Sequence, residues 1–384
     1  MRAKRSGLLQ PKSGRAAALQ NAGVSPGNWC RLDALQLVRD GIPYEFLKGG
    51  DISELPRLEH YGAQFYDNGL AKDCLQILKD QAATSSASAC ITTRATPIIT
   101  RRNCSTRWAG RIRPARAMGF TIQLTFHYTD YWSNPSEQSQ SHDWEGLSFP
   151  QLTNVLYGFT RDFMVRLTNA NIFPDHVSLG NEIRGGIPFP DVANTNWNQL
   201  ATLLQTGYSA VKSVSPSSQV VIHLDKVDAG NVNWFFGILF RRHVNFDVIG
   251  CSYYPFWTRL TSSQARAEIN SWYPNFNKPV IIMETGYNWN PTTCNGRPGQ
   301  LSNNGPEPYL STPQGQRHFL LQCFNDLKLV TDGHCVGALY WDPVFICVPG
   351  QGWQNGAPNV VGNTTLFNFT GNALPSLDAF GFNN

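Results

Sequence analysis

The sequence predicts an α/β chain folded as a (β/α)8 TIM barrel, with its second strand disrupted in residues 82–116. Three observations carry this. From residue 120 onward, short apolar runs alternate with longer segments of helical period. The runs are nearly continuous in apolar residues, as in parallel strands covered on both faces. The 384 residues exceed the roughly 250 that one such barrel needs, and no internal repeat or Gly/Ser- or Pro-rich linker marks a second domain.

The elements follow in order. YEFLKGGDIS (44–53) reads as the first strand, with a helix near 69–80 after it. TIQLTFHY (121–128) is the third strand and HVSLG (176–180) the fourth. QVVIHLD (219–225), FDVIGCSYY (246–254), PVIIMET (279–285) and VGALYW (336–341) complete the set. Between them, 148–170, 197–213, 229–242 and 314–331 carry apolar residues at helical spacing. The second strand belongs between Asp80 and AMGFTIQL. Residues 81–116 there show no apolar run bounded by turns and a poor helical period. Residues 1–40 read as an irregular tail before a single catalytic domain over 41–384.

Aromatic residues make up 12% of the chain and charged residues 15%, a balance that suits an aromatic-lined cleft. The net charge of +4 is unevenly placed. Residues 1–20 hold five Lys/Arg and residues 81–119 hold seven Arg, with no acid in either stretch. Removing these twelve from the 31 Lys/Arg leaves 19 against 27 acidic residues. The basic excess therefore sits in two odd segments and argues against a nucleic-acid partner. No run of eighteen apolar residues exists, which argues against a membrane span. Nine cysteines and sequons at Asn363 and Asn368 favour a secreted, extracellular protein. The basic N-terminus lacks the apolar core of a signal peptide, so the start of the chain reads as misassigned. A monomer is expected.

In a β/α barrel the reacting groups come from strand C-terminal ends and the loops after them. Those ends supply Asp51 (strand one), then His127, Asp130 and Trp132 (three), and Asn181 and Glu182 (four). They continue with His223 and Asp225 (five), Tyr253 and Tyr254 (six), Glu284 (seven), and Trp341 and Asp342 (eight). Glu182 and Glu284 read as a carboxylate pair across the barrel mouth. Glycoside hydrolysis needs two carboxyl groups, one to protonate the leaving oxygen and one to attack or to activate water. A lone strand-end Glu is more often a solvated residue or half of an ion pair. Two of them, one preceded by Asn, favour chemistry. His127, His223 and Asp225 have the residue types of a zinc site but not its spacing. No cysteines have metal-ligand spacing either, and no cofactor is expected.

Several longer phrases are more specific: FLKGGDISELPRLEHYGAQFYDNG, AMGFTIQLTFHYTDYWSNPSEQ, VSLGNEIRGGI, VIHLD, GCSYYPFW, VIIMETGY and ALYWDP. Through them the chain resembles glycoside hydrolase family 53, the arabinogalactan endo-β-1,4-galactanases, over residues 46–80 and 117–380. The resemblance implies a retaining double displacement, with Glu182 of GNE as acid/base and Glu284 of METGY as nucleophile. It implies a polysaccharide partner, the (arabino)galactan side chains of pectin. Asp51, His127, Asn181, His223, Asp225, Tyr253 and Trp341 are the expected substrate-binding residues. Asn181 would hold the 2-hydroxyl, and Trp341 would offer a flat apolar surface to the CH face of galactose. Trp132 and Trp289 are weaker platform candidates. Cys294 and Cys347 fall in the loops after strands seven and eight, where a disulfide would brace the cleft wall. Cys323 and Cys335 are either a second pair or free buried thiols. Some family members bind calcium in the last long loop, but residues 343–363 lack the acidic cluster for it. The alternatives are a barrel hydrolase for mannan or glucan, or an inactive, binding-only product.

Residues 81–116 do not fit the resemblance, which calls for a second strand of the form VRLRLW-x-x-P and a Tyr-rich loop. The genetic code offers a reason. Joining the last base of each codon to the first two of the next, Ala83 to Thr100 can encode N-x-V-R-L-R-L-x-x-N-P-x-D-A-Y-Y-N. Residues of about 82–116 therefore read as translated out of frame. This also explains their Arg/Ala/Ser/Thr bias, their lack of acids and the stray Cys90 and Cys104. Similar barrels carry a strand-two Arg that contacts the nucleophile, and here it has no recognisable counterpart. A barrel without that strand would expose two ladder edges and fold poorly.

Overall fold

The computed structural model describes residues 46–82, 112–130, 132–187, 196–352 and 358–381, and the backbone of Val38–Arg39, Ile42–Pro43 and 89–95. The chain divides into two compact units, Met1–Tyr44 and Glu45–Asn384. In the first, Val38–Arg39 and Ile42–Pro43 pair antiparallel.

The second unit holds a closed barrel of eight strands. They are β1 (Leu47–Asp51), β2 (Ala89–Ala95), β3 (Thr121–Phe126), β4 (His176–Leu179), β5 (Gln219–Leu224), β6 (Val248–Ser252), β7 (Val280–Thr285) and β8 (Cys335–Tyr340). Each is parallel to both neighbours, and β8 closes onto β1. Parallel pairing needs a crossover after each strand. Helices α1 (Cys74–Ala82), α2 (112–117), α3 (Phe149–Asn169), α4 (Trp197–Val214), α5 (Ala229–Arg241), α6 (Ser262–Trp272) and α7 (Pro313–Lys328) supply the first seven. After β8 the described residues hold one 3-10 helix, Pro375–Phe380, packed on α7.

The expected disruption of strand two is corrected. Ala89–Ala95 pairs with β1 from Lys48 to Asp51 and with β3 from Thr121 to Phe126, so neither of those strands is left with an open edge. Ladder bonds use backbone N–H and C=O groups that every non-proline residue brings. Ile91, Thr92 and Thr93 also suit a pleated strand. The side chains of 89–95, and with them the expected lack of a strand-two Arg, lie outside the described residues.

Helix starts follow local chemistry. Asn196, Asp228 and Thr312 accept a backbone N–H three residues on, at α4, α5 and α7. Capping boxes pair Ser148 with Gln151 at α3 and Thr261 with Gln264 at α6. Each cap contributes about 1 kcal/mol. Two apolar clusters then hold the barrel. Val221, Val248, Ile281, Met283 and Leu339 fill its interior. A larger cluster lies between strands and helices, with Ile122, Leu124 and Phe126 of β3 against Leu156 and Phe163 of α3. Burying such a side chain fully contributes roughly 1.5–3 kcal/mol.

Candidate active site

The interior cluster fixes which residues look into the barrel. Successive strand residues alternate faces, so Val221 places His223 and Asp225 on the inner side. Val248 likewise places Ser252 and Tyr254 there, and Leu339 places Trp341. These strands end around a cleft of about 890 Å³ lined by Asn181, Glu182, Arg184, Asp225, Tyr254, Glu284 and Trp341. Trp132 and Trp257 add two further aromatic walls.

Glu182 reaches the cleft through a tight turn after β4. Gly180 has φ +88°, and a Cβ there would meet Ile183 Cγ2 at 2.3 Å. Glu182 itself is left-handed, with φ 50° and ψ 49°, a conformation uncommon outside glycine that concentrates at functional sites. Glu284 is aimed differently. In β7, Ile282 pairs with Cys251, whereas Glu284 pairs with the next residue, Ser252. The extra residue is a bulge, a feature that re-aims side chains beside active sites. It brings Glu284 into the cleft although Met283 before it already points inward. Gly286 then allows close packing, since a Cβ there would meet Tyr254 at 2.9 Å and the Trp341 carbonyl at 3.0 Å.

The two carboxylates and the His223 ring converge, with one oxygen or nitrogen of each within 4.8 Å of the others. Tyr254 Oη donates to Glu284 Oε2 at 2.8 Å, and Ser252 Oγ lies 2.6 Å from Glu182 Oε1. Behind them, Asn181 Oδ1 accepts from His223 Nδ1 (3.0 Å), and His223 Nε2 lies 2.9 Å from Ser252 Oγ. Asn181 Nδ2 donates to the Ser133 carbonyl at 3.0 Å. Three such groups are a spacing a cation could use, but both His223 nitrogens are already engaged.

Burial pushes the Glu182 carboxyl up to about 7, with nearby Asp225 adding to the rise and any donation from the Ser252 hydroxyl, then Lys226 and Arg184, opposing it. Burial and the neighbouring Glu182 also push Glu284 well above the usual carboxylate range, while the Tyr254 and Asn181 donors oppose this. Two carboxyls this close cannot both ionise easily, so they share one negative charge. Hydrogen-bond donors decide where it sits. Glu284 has two donors and Glu182 at most one, which favours the charge on Glu284.

The other expected residues separate into two groups. Asn181, Asp225 and Trp341 line the cleft with the carboxylates. Asp225 is clamped by Arg184 Nε at 2.9 and 3.1 Å, and Trp132 stands edge-on to Trp341. Asp51, His127, His223 and Tyr253 lie outside this lining. Asp51 accepts the Ser53 N–H and raises the Glu284 carboxyl from behind. His127 is held by Ser133 through Nδ1. His223 is fully buried behind Asn181. Tyr253 points out of the barrel to Glu307 and the Leu260 carbonyl, and its neighbour Tyr254 takes the cleft position. Sequence reading missed Ser252, Arg184 and Trp257; strand alternation counted from Val248 would have found Ser252 and preferred Tyr254. Trp289 is a core residue whose indole donates to Gly362. Cys294 and Cys347 form a disulfide, whereas Cys323 and Cys335 are free and buried.

A family model described as glycosyl hydrolase family 53 matches residues 47–380. The chain belongs to glycosyl hydrolase family 53. A relative named arabinogalactan endo-beta-1,4-galactanase, from Thermothelomyces thermophilus, is 33% identical over 275 residues, which is 69% of this chain and 79% of that protein. A Bacillus subtilis protein named endo-beta-1,4-galactanase is 26% identical over 89% of this family 53 chain and 87% of its own. Among solved structures, the family 53 catalytic domain of Ignisphaera aggregans aligns with TM-score 0.81 and 34% identity, over 89% of this chain and 97% of that one. A fungal β-1,4-galactanase aligns with TM-score 0.73 and 28% identity, over 87% and 98%. This family 53 member has no helix, among the described residues, long and apolar enough to cross a membrane.

Proposed function

We propose that the chain is an arabinogalactan endo-β-1,4-galactanase that cleaves galactan side chains of pectin outside the cell, as a monomer, with retention of configuration. The observation that carries the mechanism is the carboxylate pair. One oxygen of Glu182 lies within 4.8 Å of one oxygen of Glu284. Retaining enzymes hold their carboxyls about 5–5.5 Å apart, and inverting ones need about 6.5–9.5 Å to admit a water.

The chemistry follows from the donors. Ionised Glu284 attacks the anomeric carbon while Glu182 gives its proton to the departing glycosidic oxygen. A galactosyl ester on Glu284 and a shortened chain result. Glu182, now a carboxylate, takes a proton from water, and the water oxygen displaces Glu284 from the anomeric carbon. The Asn181 Nδ2 hydrogen facing Glu284 is the one available to the 2-hydroxyl of the bound sugar. Trp341 gives the sugar an apolar face, with Trp132 and Trp257 beside it, and the open cleft suits attack within a chain. The galactanase names of the family 53 relatives support the substrate.

Reducing-sugar release from galactan, mannan and carboxymethylcellulose tests the substrate, and preferred cleavage of mannan or cellulose refutes it. Proton NMR of the first product tests the stereochemistry; initial release of the α-anomer refutes retention. Glu284→Ala should abolish hydrolysis and keep binding. Wild-type protein that binds galactan without cleaving it would establish a binding-only role.

A further inference from the structure

We propose that Ser252 and His223 form a one-way hydrogen-bond relay, anchored on Asn181, that keeps the proton on Glu182. This rests on the acid/base role of Glu182 proposed above. The direction of the relay follows from which atoms can donate. The Ser133 carbonyl only accepts, so it fixes the Asn181 amide with Nδ2 towards Ser133 and Oδ1 towards His223. Oδ1 only accepts, so His223 Nδ1 carries a hydrogen. His223 is buried among strands, and that burial drops its imidazole to about 3, so the ring is neutral. A neutral ring with hydrogen on Nδ1 has a bare Nε2, which accepts. Ser252 Oγ, 2.9 Å away, must therefore donate to it. The hydroxyl has one hydrogen, so what it presents to Glu182 Oε1 at 2.6 Å is a lone pair. That contact is a hydrogen bond only when Glu182 is protonated.

The relay is fully satisfied in one state. With Glu182 protonated, each of its four members has its partner. With Glu182 ionised, the Ser252 hydrogen turns either to Nε2 or to the carboxylate, and one buried acceptor is left bare. An unsatisfied buried acceptor is costly, so the relay raises the proton affinity of Glu182. In the first step it keeps the acid form populated. In the second it makes the resulting carboxylate a stronger base towards water. Other groups face Glu182 too: Arg184 from its own loop, Asp225 and Lys226 after β5, Tyr254 after β6, and Glu284 on β7. None of these hydrogen-bonds His223, whose partners are Asn181 and Ser252, so the relay can be varied separately. Ser252 and His223 touch Glu182 or Asn181 rather than the reacting atoms and are positioning residues.

The sign of one shift decides the matter. In the pH profile of kcat/KM on galactan, the alkaline limb reports loss of the Glu182 proton. Ser252→Ala removes the acceptor of that proton, so the limb should move down by about one pH unit. If Ser252 instead donates to an ionised Glu182, the same variant moves the limb up. An upward or absent shift overturns the relay. His223→Ala frees the Ser252 hydroxyl to donate to the carboxylate and should also move the limb down. The unmodified protein gives an independent reading. Nitrogen-15 NMR of His223 should show the neutral ring with hydrogen on Nδ1 from about pH 5 to 8. An imidazolium, or hydrogen on Nε2, overturns the proposal even if no variant folds. Wild-type hydrolysis of galactan is the control; its failure would strike the acid/base reading while leaving the NMR result to judge the relay.

Discussion

Tyr254→Phe isolates one hydrogen bond to the proposed nucleophile. The ring is nearly fully buried at 3% exposure, so phenylalanine keeps its packing against Trp257, whose ring centre is 4.7 Å away. What is lost is the 2.8 Å donation from Oη to Glu284 Oε2. Burial and the adjacent Glu284 push the phenol well above its ordinary value, so it stays a donor at every working pH. A hydrogen bond to a charged group contributes about 1.5–3 kcal/mol. If it is present with ionised Glu284 and lost in the variant, kcat/KM should fall by roughly 10- to 150-fold. The sign of the pH effect follows. Ionised Glu284 is the active form, and its carboxyl already lies well above the usual range. Losing a donor raises it further, so the acid limb of kcat/KM should move to higher pH by about one unit. The assay is reducing-sugar release from galactan across pH, with thermal unfolding as the check on folding. A folded variant within about twofold of wild type, with an unmoved acid limb, refutes the assignment of Tyr254 as partner to the charged nucleophile.

Three other outcomes are expected. Lys48 is buried on the outer face of β1 with Nζ donating to the Ala379 carbonyl, and burial, followed by Lys328, pulls its ammonium down from 10.5 to about 7. The unfolded chain then binds more protons than the folded one between about pH 7 and 10.5, so this residue makes stability rise with pH across that window. Lys48→Met should remove that slope and raise Tm at pH 6 by a few degrees; a lower Tm at pH 6 argues against it. The Cys294–Cys347 disulfide closes a separation of 53 residues, which corresponds to about 4 kcal/mol of chain entropy in the unfolded state. The double Ala variant should unfold at lower temperature under non-reducing conditions, and an unchanged Tm counts against this. Restoring the alternative reading frame over codons 82–116 should raise galactan hydrolysis by giving β2, whose present Arg is Arg94, the strand-two Arg that the resemblance implies. A transcript that encodes the present residues, with no gain on restoration, removes the frame-shift reading.

The sequence by itself determined the barrel and its pair of acids. Seven strands lie within a few residues of the apolar runs, because strands buried on both faces leave an unbroken apolar signature. Glu182 and Glu284 were legible because barrel chemistry collects at strand C-termini and because the phrases around them are long. The disulfide followed from two loops that the barrel makes neighbours. Tertiary structure decided the rest. β2 was illegible because no turn-bounded apolar run marks it, although Ile91, Thr92 and Thr93 suit a strand, and the ladders of β1 and β3 supply backbone partners that such a segment can meet. Tyr253 and Tyr254 are adjacent in sequence, and only the inward-facing Val248 tells which one enters the cleft. Glu284 enters against its strand's alternation, through a bulge that pairing with β6 reveals and composition does not. His223 looked like a rim ligand from its position at a strand end. Its role depends on Asn181 in β4's loop and Ser252 in β6, groups 42 and 29 residues away in the chain, and only barrel closure brings them together.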